Sequence, residues 1–132
     1  MRMSFKLRSD ERGSAAIEMA IATPVLALFL YGIFQIGVMF QAMAGMQHGL
    51  GEGARYATIF PTPTNAQIAS KIDETVFGVG VGDFDDPTVT DGTGYKDLSV
   101  TFSMETNFLF FEGPEINITQ TKRAYTYQAS TS

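Results

Sequence analysis

The sequence has no cysteine and no tryptophan, and His48 is its only histidine. Disulfide frameworks, thiolate nucleophiles and thiolate metal sites are therefore excluded. Zinc sites and the usual nucleophile–base pairs also lose most of their side chains, because both depend heavily on cysteine and histidine. No spacing in the chain brings a nucleophile and a base together. We therefore expect a protein that is not an enzyme and that has no cofactor and no metal centre.

Charge is absent from a long central stretch. No formally charged residue occurs between Glu18 and Glu52, whereas residues 1–13 contain four cations and two acids. Residues 52–132 contain five cations and eleven acids, and the net charge of the chain is −5. An acidic chain without a basic face argues against nucleic acid as a partner. A basic start, an apolar middle and an acidic remainder are typical of a protein with one membrane span.

The apolar middle predicts a transmembrane helix over Met19–Phe40. These 22 residues include only Thr23 and Gln35 as clearly polar side chains. At 1.5 Å per residue, the helix is about 33 Å long, which is enough for a hydrocarbon core of about 30 Å. Most cations near the span precede it, so the positive-inside rule predicts a cytoplasmic N-terminus and places residues 50–132 outside the cytoplasm.

A second, shorter helix is predicted after a proline break. The sequence "PTPT" at 61–64 ends the first helix, because proline has no backbone N–H and disfavours the helical region for the residue before it. An amphipathic helix is then predicted over Asn65–Phe77, with Thr64 or Asn65 as its N-cap.

The remaining residues predict a small antiparallel sheet. Residues 78–97 are dense in glycine and aspartate and predict a loop. The acidic part of this loop, 83–97, has the oxygen density of a calcium site but lacks the EF-hand spacing, so a solvated loop is the favoured interpretation. Alternation over 98–104 predicts a strand, and the runs on either side of Gly113–Pro114, the second extending over 116–128, are expected to form a hairpin. The predicted fold class is α+β: a long transmembrane helix, one short helix and an antiparallel sheet.

Three glycines, Gly45, Gly49 and Gly53, recur every four residues and share one face of the extended first helix. A face without side chains lets another helix approach closely. A frayed helix end is the alternative, since each glycine costs up to about 1 kcal/mol relative to alanine. Together with Ala16 and Ala20, these glycines are the predicted helix-packing positions.

Residues 12–18 combine a basic residue and glycine, four small or apolar residues, and then Glu18, directly before the apolar span. This pattern resembles the prepilin cleavage site of type IV pilins and pseudopilins. The resemblance implies cleavage after Gly13 by a prepilin peptidase, with Ser14 as the new N-terminus. In a filament, Glu18 would then pair with the terminal amine of a neighbouring subunit. The alternative is that Glu18 only marks the membrane interface.

Residues 12–58 resemble, more specifically, the TadE-like proteins of tight-adherence (Tad/Flp) pilus systems. The matching features are Glu18, Pro24 and a segment that ends the helix, Glu52-Gly53-Ala54-Arg55-Tyr56-Ala57. Met19 departs from the family pattern, which usually has an aromatic residue after the glutamate. The resemblance implies a minor pseudopilin that takes part in pilus assembly and thereby in surface adhesion.

This interpretation divides the chain into a basic leader (1–13), a transmembrane helix with its extension (14–59) and a periplasmic α+β domain (60–132). The expected location is the bacterial inner membrane and, after assembly, the pilus. The implied partners are the prepilin peptidase, other pilins and minor pseudopilins, the inner-membrane assembly platform and the lipid bilayer. Two alternatives stay open: an uncleaved single-span anchor, and a secreted domain released by signal peptidase after Ala44. The second is disfavoured because signal-peptide apolar regions span only about 7–15 residues.

Overall fold

The structure is a computed structural model, and it describes residues 11–108 and 111–126. Within those ranges the chain forms two helices and four strands. The elements are α1 (Glu11–Ala57), α2 (Asn65–Thr75), β1 (Asp83–Phe84), β2 (Thr88–Gly92), β3 (Tyr95–Phe108) and β4 (Phe111–Tyr125). A long apolar helix, a short helix and an antiparallel sheet confirm the α+β class predicted from the sequence.

The first helix, α1, is continuous over 47 residues, which corresponds to a length of about 70 Å. It includes the whole predicted span and continues through Pro24. The helix ends at Ala57, where the Thr58 hydroxyl donates to the carbonyl of Arg55 at 2.7 Å. The break therefore falls just before Pro61, as predicted.

The second helix, α2, begins with a reciprocal capping box. The Thr64 hydroxyl accepts from the backbone N–H of Gln67, and the Gln67 side chain accepts from the backbone N–H of Thr64 at 2.9 Å. Thr64 is thus the N-cap. The helix ends at Thr75, two residues earlier than predicted, because Val76 is extended.

The central strand of the sheet is β3. It pairs with β4 along one edge, and along the other edge with β2 and then β1, all antiparallel. The prediction of a loop over 78–97 is therefore wrong for β1, β2 and the start of β3. Glycine and aspartate lower the local preference for strand, but pairing with β3 gives these backbone groups hydrogen-bond partners.

The expectation of a hairpin turn at Gly113–Pro114 is wrong, because both residues lie within β4 and the ladder continues to the pair Phe108 and Phe111. Pro114 lies within β4, beside an irregularity of the ladder between Glu105 and Asn107. An edge strand tolerates proline at such a place, because the missing N–H removes no regular ladder bond.

One core joins both helices to the sheet. The alternating face of β3 is buried as predicted, and it meets the second half of α1 and one side of α2. Its buried side chains include Val38, Ala42, Met46 and Leu50 from α1, Ile68 and Ile72 from α2, and Leu98, Val100, Phe102 and Met104 from β3. The second half of α1 is therefore part of the folded domain.

Before Tyr31, which contacts Phe108, the first half of α1 is not covered by the rest of the described chain. Its large apolar side chains, from Ile17 to Phe34, are more than half exposed at most positions. By length and composition the helix can cross a membrane, and only 11% of its most apolar stretch is buried. A soluble core helix would be mostly buried, whereas an exposed apolar surface of this size is typical of a membrane or protein contact.

Candidate assembly surface of the N-terminal helix

The predicted processing site lies in the first turns of α1. Gly13 and Ser14 are both exposed and helical. A protease binds extended backbone, so cleavage between them requires this turn to unwind. Unwinding is local, because residues 13–23 around this turn are all exposed.

Glu18 is exposed one turn further along α1. It lies at the start of an apolar helix face formed by Ile21, Ala22, Val25, Leu26 and Phe29. None of the ion pairs found in the described part of the chain involves Glu18. Pairing of this carboxylate with the amine of a neighbouring subunit stays a prediction.

Two of the predicted helix-packing positions, Ala16 and Ala20, are exposed. They are four residues apart and so lie on the same face of α1. Small side chains there leave room for a second helix to approach. This part of the small-residue face is open to a partner molecule.

The three glycines Gly45, Gly49 and Gly53 are buried, and they face α2 and the residue pair that follows it. A Cβ on Gly45 would overlap the backbone carbonyl of Phe77, and one on Gly49 would come within 2.5 Å of Val76 Cγ2. The close helix approach expected of these glycines thus exists in the structure. The helix that makes it is α2 of the same chain.

The segment Glu52-Gly53-Ala54-Arg55-Tyr56-Ala57 forms the last turns of α1. Its small residues face the domain, since a Cβ on Gly53 would overlap the Ile72 side chain and Ala57 is fully buried. Its charged residues face outward, where Arg55 donates to Glu52 at 2.7 Å. This segment therefore attaches the helix to the domain.

The sequence interpretation did not identify the stripe that joins α1 to the sheet. Val38, Ala42, Met46 and Leu50 are four residues apart and nearly fully buried. Their spacing was visible in the sequence, but a uniformly apolar stretch hides which face is covered by protein and which by lipid.

The aspartates of the 83–97 segment are divided between different partners. Asp91 accepts from Lys96 and from the Asn65 amide (2.7 Å), which attaches the start of α2 to the β2–β3 turn. These hydrogen bonds, chiefly the one from Lys96, hold the pKa of Asp91 below its ordinary value. In the part of the chain that the structure describes, no three acidic or histidine side chains are placed to share a metal ion.

Asp97 is paired across the sheet with Arg123. The Nε and a terminal nitrogen of Arg123 donate to the two carboxylate oxygens of Asp97 at 2.7 and 2.9 Å. The guanidinium also stacks over the ring of Tyr95, 3.9 Å from the ring centroid. The hydrogen bonds from Arg123 lower the pKa of Asp97 and, reciprocally, raise the pKa of Arg123.

These features place the chain among proteins with one N-terminal helix able to cross a membrane and a small α+β domain built on the second half of that helix. The helix itself is TadE-like: residues 13–55 match the model of the family described as TadE-like protein. The match begins at the predicted processing glycine and ends inside the 52–57 segment. Comparisons with curated proteins and with solved structures found no match. The resemblance inferred from the sequence is thus confirmed over residues 13–55, which are less than half of the chain.

Proposed function

We propose that this protein is a minor pseudopilin of a Tad/Flp-type pilus, processed by a prepilin peptidase after Gly13. The observation that supports this most strongly is a TadE-like helix whose large apolar side chains between Ile17 and Leu30 are mostly exposed. Such a surface suits lipid before assembly and neighbouring pilin helices afterwards, because small-residue faces and apolar side chains pack well in both settings. The proposed role is structural and involves no catalysis.

The proposed arrangement has residues before α1 on the cytoplasmic side of the inner membrane and the α+β domain in the periplasm. Partners are the peptidase, other pilins and minor pseudopilins, and the membrane assembly platform. Adhesion to surfaces follows indirectly, through the pilus that the protein helps to assemble.

Glu18 has a positional role in this proposal. Cleavage creates an ammonium on Ser14, and a carboxylate among apolar helices requires a partner of opposite charge. Pairing with the amine of a neighbouring subunit sets the axial register between two helices. Removing one partner of a comparable buried pair costs roughly 3–5 kcal/mol, so incorrect registers are disfavoured.

Release by signal peptidase after Ala44 is the less favoured alternative. That cut would fall inside a continuous helix, between the fully buried Ala42 and Met46. It would also remove Val38 and Ala42 from the core that holds the sheet to α1. The uncleaved single-span anchor therefore remains the main competing function.

The test is the N-terminus and intact mass of the protein from membranes, with and without the prepilin peptidase. A start at Ser14 that reverts to Met1 without the peptidase supports the proposal. A start at Met1 in both strains leaves the uncleaved anchor, and a start at Gly45 indicates secretion. Gly13→Leu should retain the leader, whereas Gly37→Leu is the matched control, because a side chain there meets no neighbouring atom within 4 Å.

A further inference from the structure

We propose that the tip of the β3–β4 hairpin lies in the outer interface of the membrane and marks, together with α1, where the bilayer ends on this protein. The contact surface, here called the aromatic tip, consists of Tyr31 and Phe34 of α1 and Phe108 and Phe111 of the hairpin. The inference rests on the membrane location proposed above. It adds a second lipid contact, made by the folded domain itself.

The aromatic tip is continuous from helix to hairpin. The Phe108 ring meets the edge of Tyr31 at a centroid distance of 6.5 Å and stacks on Phe111 at 4.7 Å. Tyr31 in turn stacks with Phe34 at 6.5 Å. Phe34 and Phe111 are 57% and 59% exposed, so the cluster presents apolar surface outward. Tyrosine is enriched where membrane meets water, and the phenylalanine rings beside Tyr31 add apolar surface at the same level of the molecule.

The position of the cluster along α1 matches one bilayer thickness. The uncovered apolar residues begin at Ile17, and Phe34 lies 17 residues later, about 26 Å along the helix. A hydrocarbon core is about 30 Å thick. A bilayer that begins near Ile17 therefore ends close to the level of the aromatic tip.

Acidic side chains on the hairpin prevent deeper immersion. Glu112 directly follows Phe111, and its ladder partner is Asn107. Glu105 and Glu115 form the next facing pair, and all three carboxylates are exposed. Because carboxylates are costly in hydrocarbon, the rings contact the interface while the acids stay in water.

This depth differs from the span of Met19–Phe40 that hydropathy predicts. Phe40 is 68% exposed and lies about 9 Å beyond Phe34 along α1. Phe108 lies beside Tyr31, about 14 Å before Phe40 along α1, and Glu112 is one ladder position from Phe108 and Phe111. A bilayer reaching Phe40 would therefore cover the aromatic tip and bring Glu112 into hydrocarbon. The inference therefore places Phe40 outside the bilayer.

The absence of tryptophan allows a direct test. Single-tryptophan variants of the full chain are placed in phosphatidylcholine vesicles that contain lipids brominated either near the headgroup or near the bilayer centre. The variants are Phe111→Trp in the tip, Phe29→Trp within the span, Phe40→Trp beyond the proposed boundary and Tyr125→Trp as matched control. Tyr125 is an aromatic residue on the same strand, 74% exposed at the opposite end of the hairpin.

The expected result is that Phe111→Trp is quenched severalfold more by shallow bromines than by deep ones. Phe29→Trp should be quenched more by deep bromines, and Phe40→Trp and Tyr125→Trp should be quenched little by either. If Phe29→Trp is quenched but Phe111→Trp behaves like Tyr125→Trp, the tip contact is wrong and the membrane anchor stands. If Phe111→Trp or Phe40→Trp is quenched mainly by bromines near the bilayer centre, the proposed boundary is wrong. Absence of quenching at Phe29→Trp overturns both the anchor and the tip contact.

Discussion

The ion pair between Asp97 and Arg123 shows how individual side chains fix the register of the sheet. The two residues face each other across β3 and β4, and the guanidinium binds both carboxylate oxygens. Tyr95, two residues before Asp97, offers its ring to the same guanidinium. Lysine would keep the charge but lose the two-point hydrogen bonding and the planar stacking. Arginine is therefore specifically suited to this position.

The same pair predicts a pH dependence of stability. Arg123 lowers the pKa of Asp97 in the folded protein, so the unfolded chain binds more protons near the ordinary aspartate pKa of about 3.9. The stabilisation by Asp97 is thus fully present above that value and is lost as pH falls through the folded pKa. Both side chains are nearly half exposed, so solvent screens the effect.

We expect Asp97→Asn to lower the midpoint of thermal unfolding at pH 7 and to approach the wild-type midpoint as pH is lowered toward about 2. Arg123→Lys is the matched variant, and it should retain part of the pH dependence because the positive charge remains. The measurement is thermal unfolding of the full chain in detergent, followed by near-ultraviolet circular dichroism between these pH values. A gap between wild type and Asp97→Asn that stays constant with pH would contradict the assignment.

At the scale of elements, the contact between α1 and α2 depends on missing side chains. The carbonyl of Phe77 occupies the place where Gly45 would carry a Cβ, and this backbone atom cannot rotate away. Gly51, on the same helix, has room: a Cβ there would meet only the Lys122 Nζ, at 3.6 Å. The two glycines therefore form a matched pair for measuring the close approach.

We expect Gly45→Ala to lower the free energy of unfolding by about 2 kcal/mol, because the overlap forces the residues after α2 to move. Gly51→Ala should leave it unchanged or raise it by up to about 1 kcal/mol, since alanine has the higher helix propensity. Denaturant unfolding of the full chain in detergent gives both values. Similar values for the two variants would show that the residues after α2 do not approach α1 at Gly45.

Local patterns in the sequence predicted the elements that their own residues determine. The apolar run of α1, the start of α2 (with Thr64 as one of two candidate caps) and the alternation in β3 were all correctly predicted, because each depends on neighbours within a few residues. The strands β1 and β2 were missed, since pairing with the distant β3 stabilises them. The hairpin turn was misplaced for the same reason: Gly113–Pro114 favours a turn locally, but the register on β3 places the turn after Phe108.

The candidate site was predictable to a similar extent. The short spacing predicts processing at Gly13 and pairing at Glu18, and both roles stay predictions, although the family match begins at that glycine. The glycine spacing at 45, 49 and 53 predicted a close helix contact but not its partner, because a periodic pattern gives the face of a helix and not what lies against it. Only the three-dimensional arrangement shows that α2 occupies this face.

At the scale of the whole molecule, α1 connects an uncovered apolar segment rigidly to a folded domain. The helix continues from Glu11 to Ala57, and its second half contributes to the core. Any axial shift of the first half in a filament is therefore transmitted to the domain. A charge that sets the register of α1 would also set the height of the domain on the pilus.

This connection makes Glu18 the residue whose loss should separate processing from assembly. Glu18 is exposed and lies far from the domain core, so Glu18→Ala should leave the fold intact. Cleavage after Gly13 should continue, whereas incorporation into pili should fall at least tenfold, as expected if an ammonium is left without its partner.

Glu18→Asp keeps the charge and should restore part of the incorporation. Glu52→Ala, on the same helix beyond the uncovered segment, is the control for loss of a carboxylate. The measurements are the N-terminal sequence of the membrane form and the amount of protein in sheared pili. Equal loss of cleavage and incorporation would assign Glu18 to peptidase recognition, and normal incorporation of Glu18→Ala would remove the charge pair from the assembly mechanism.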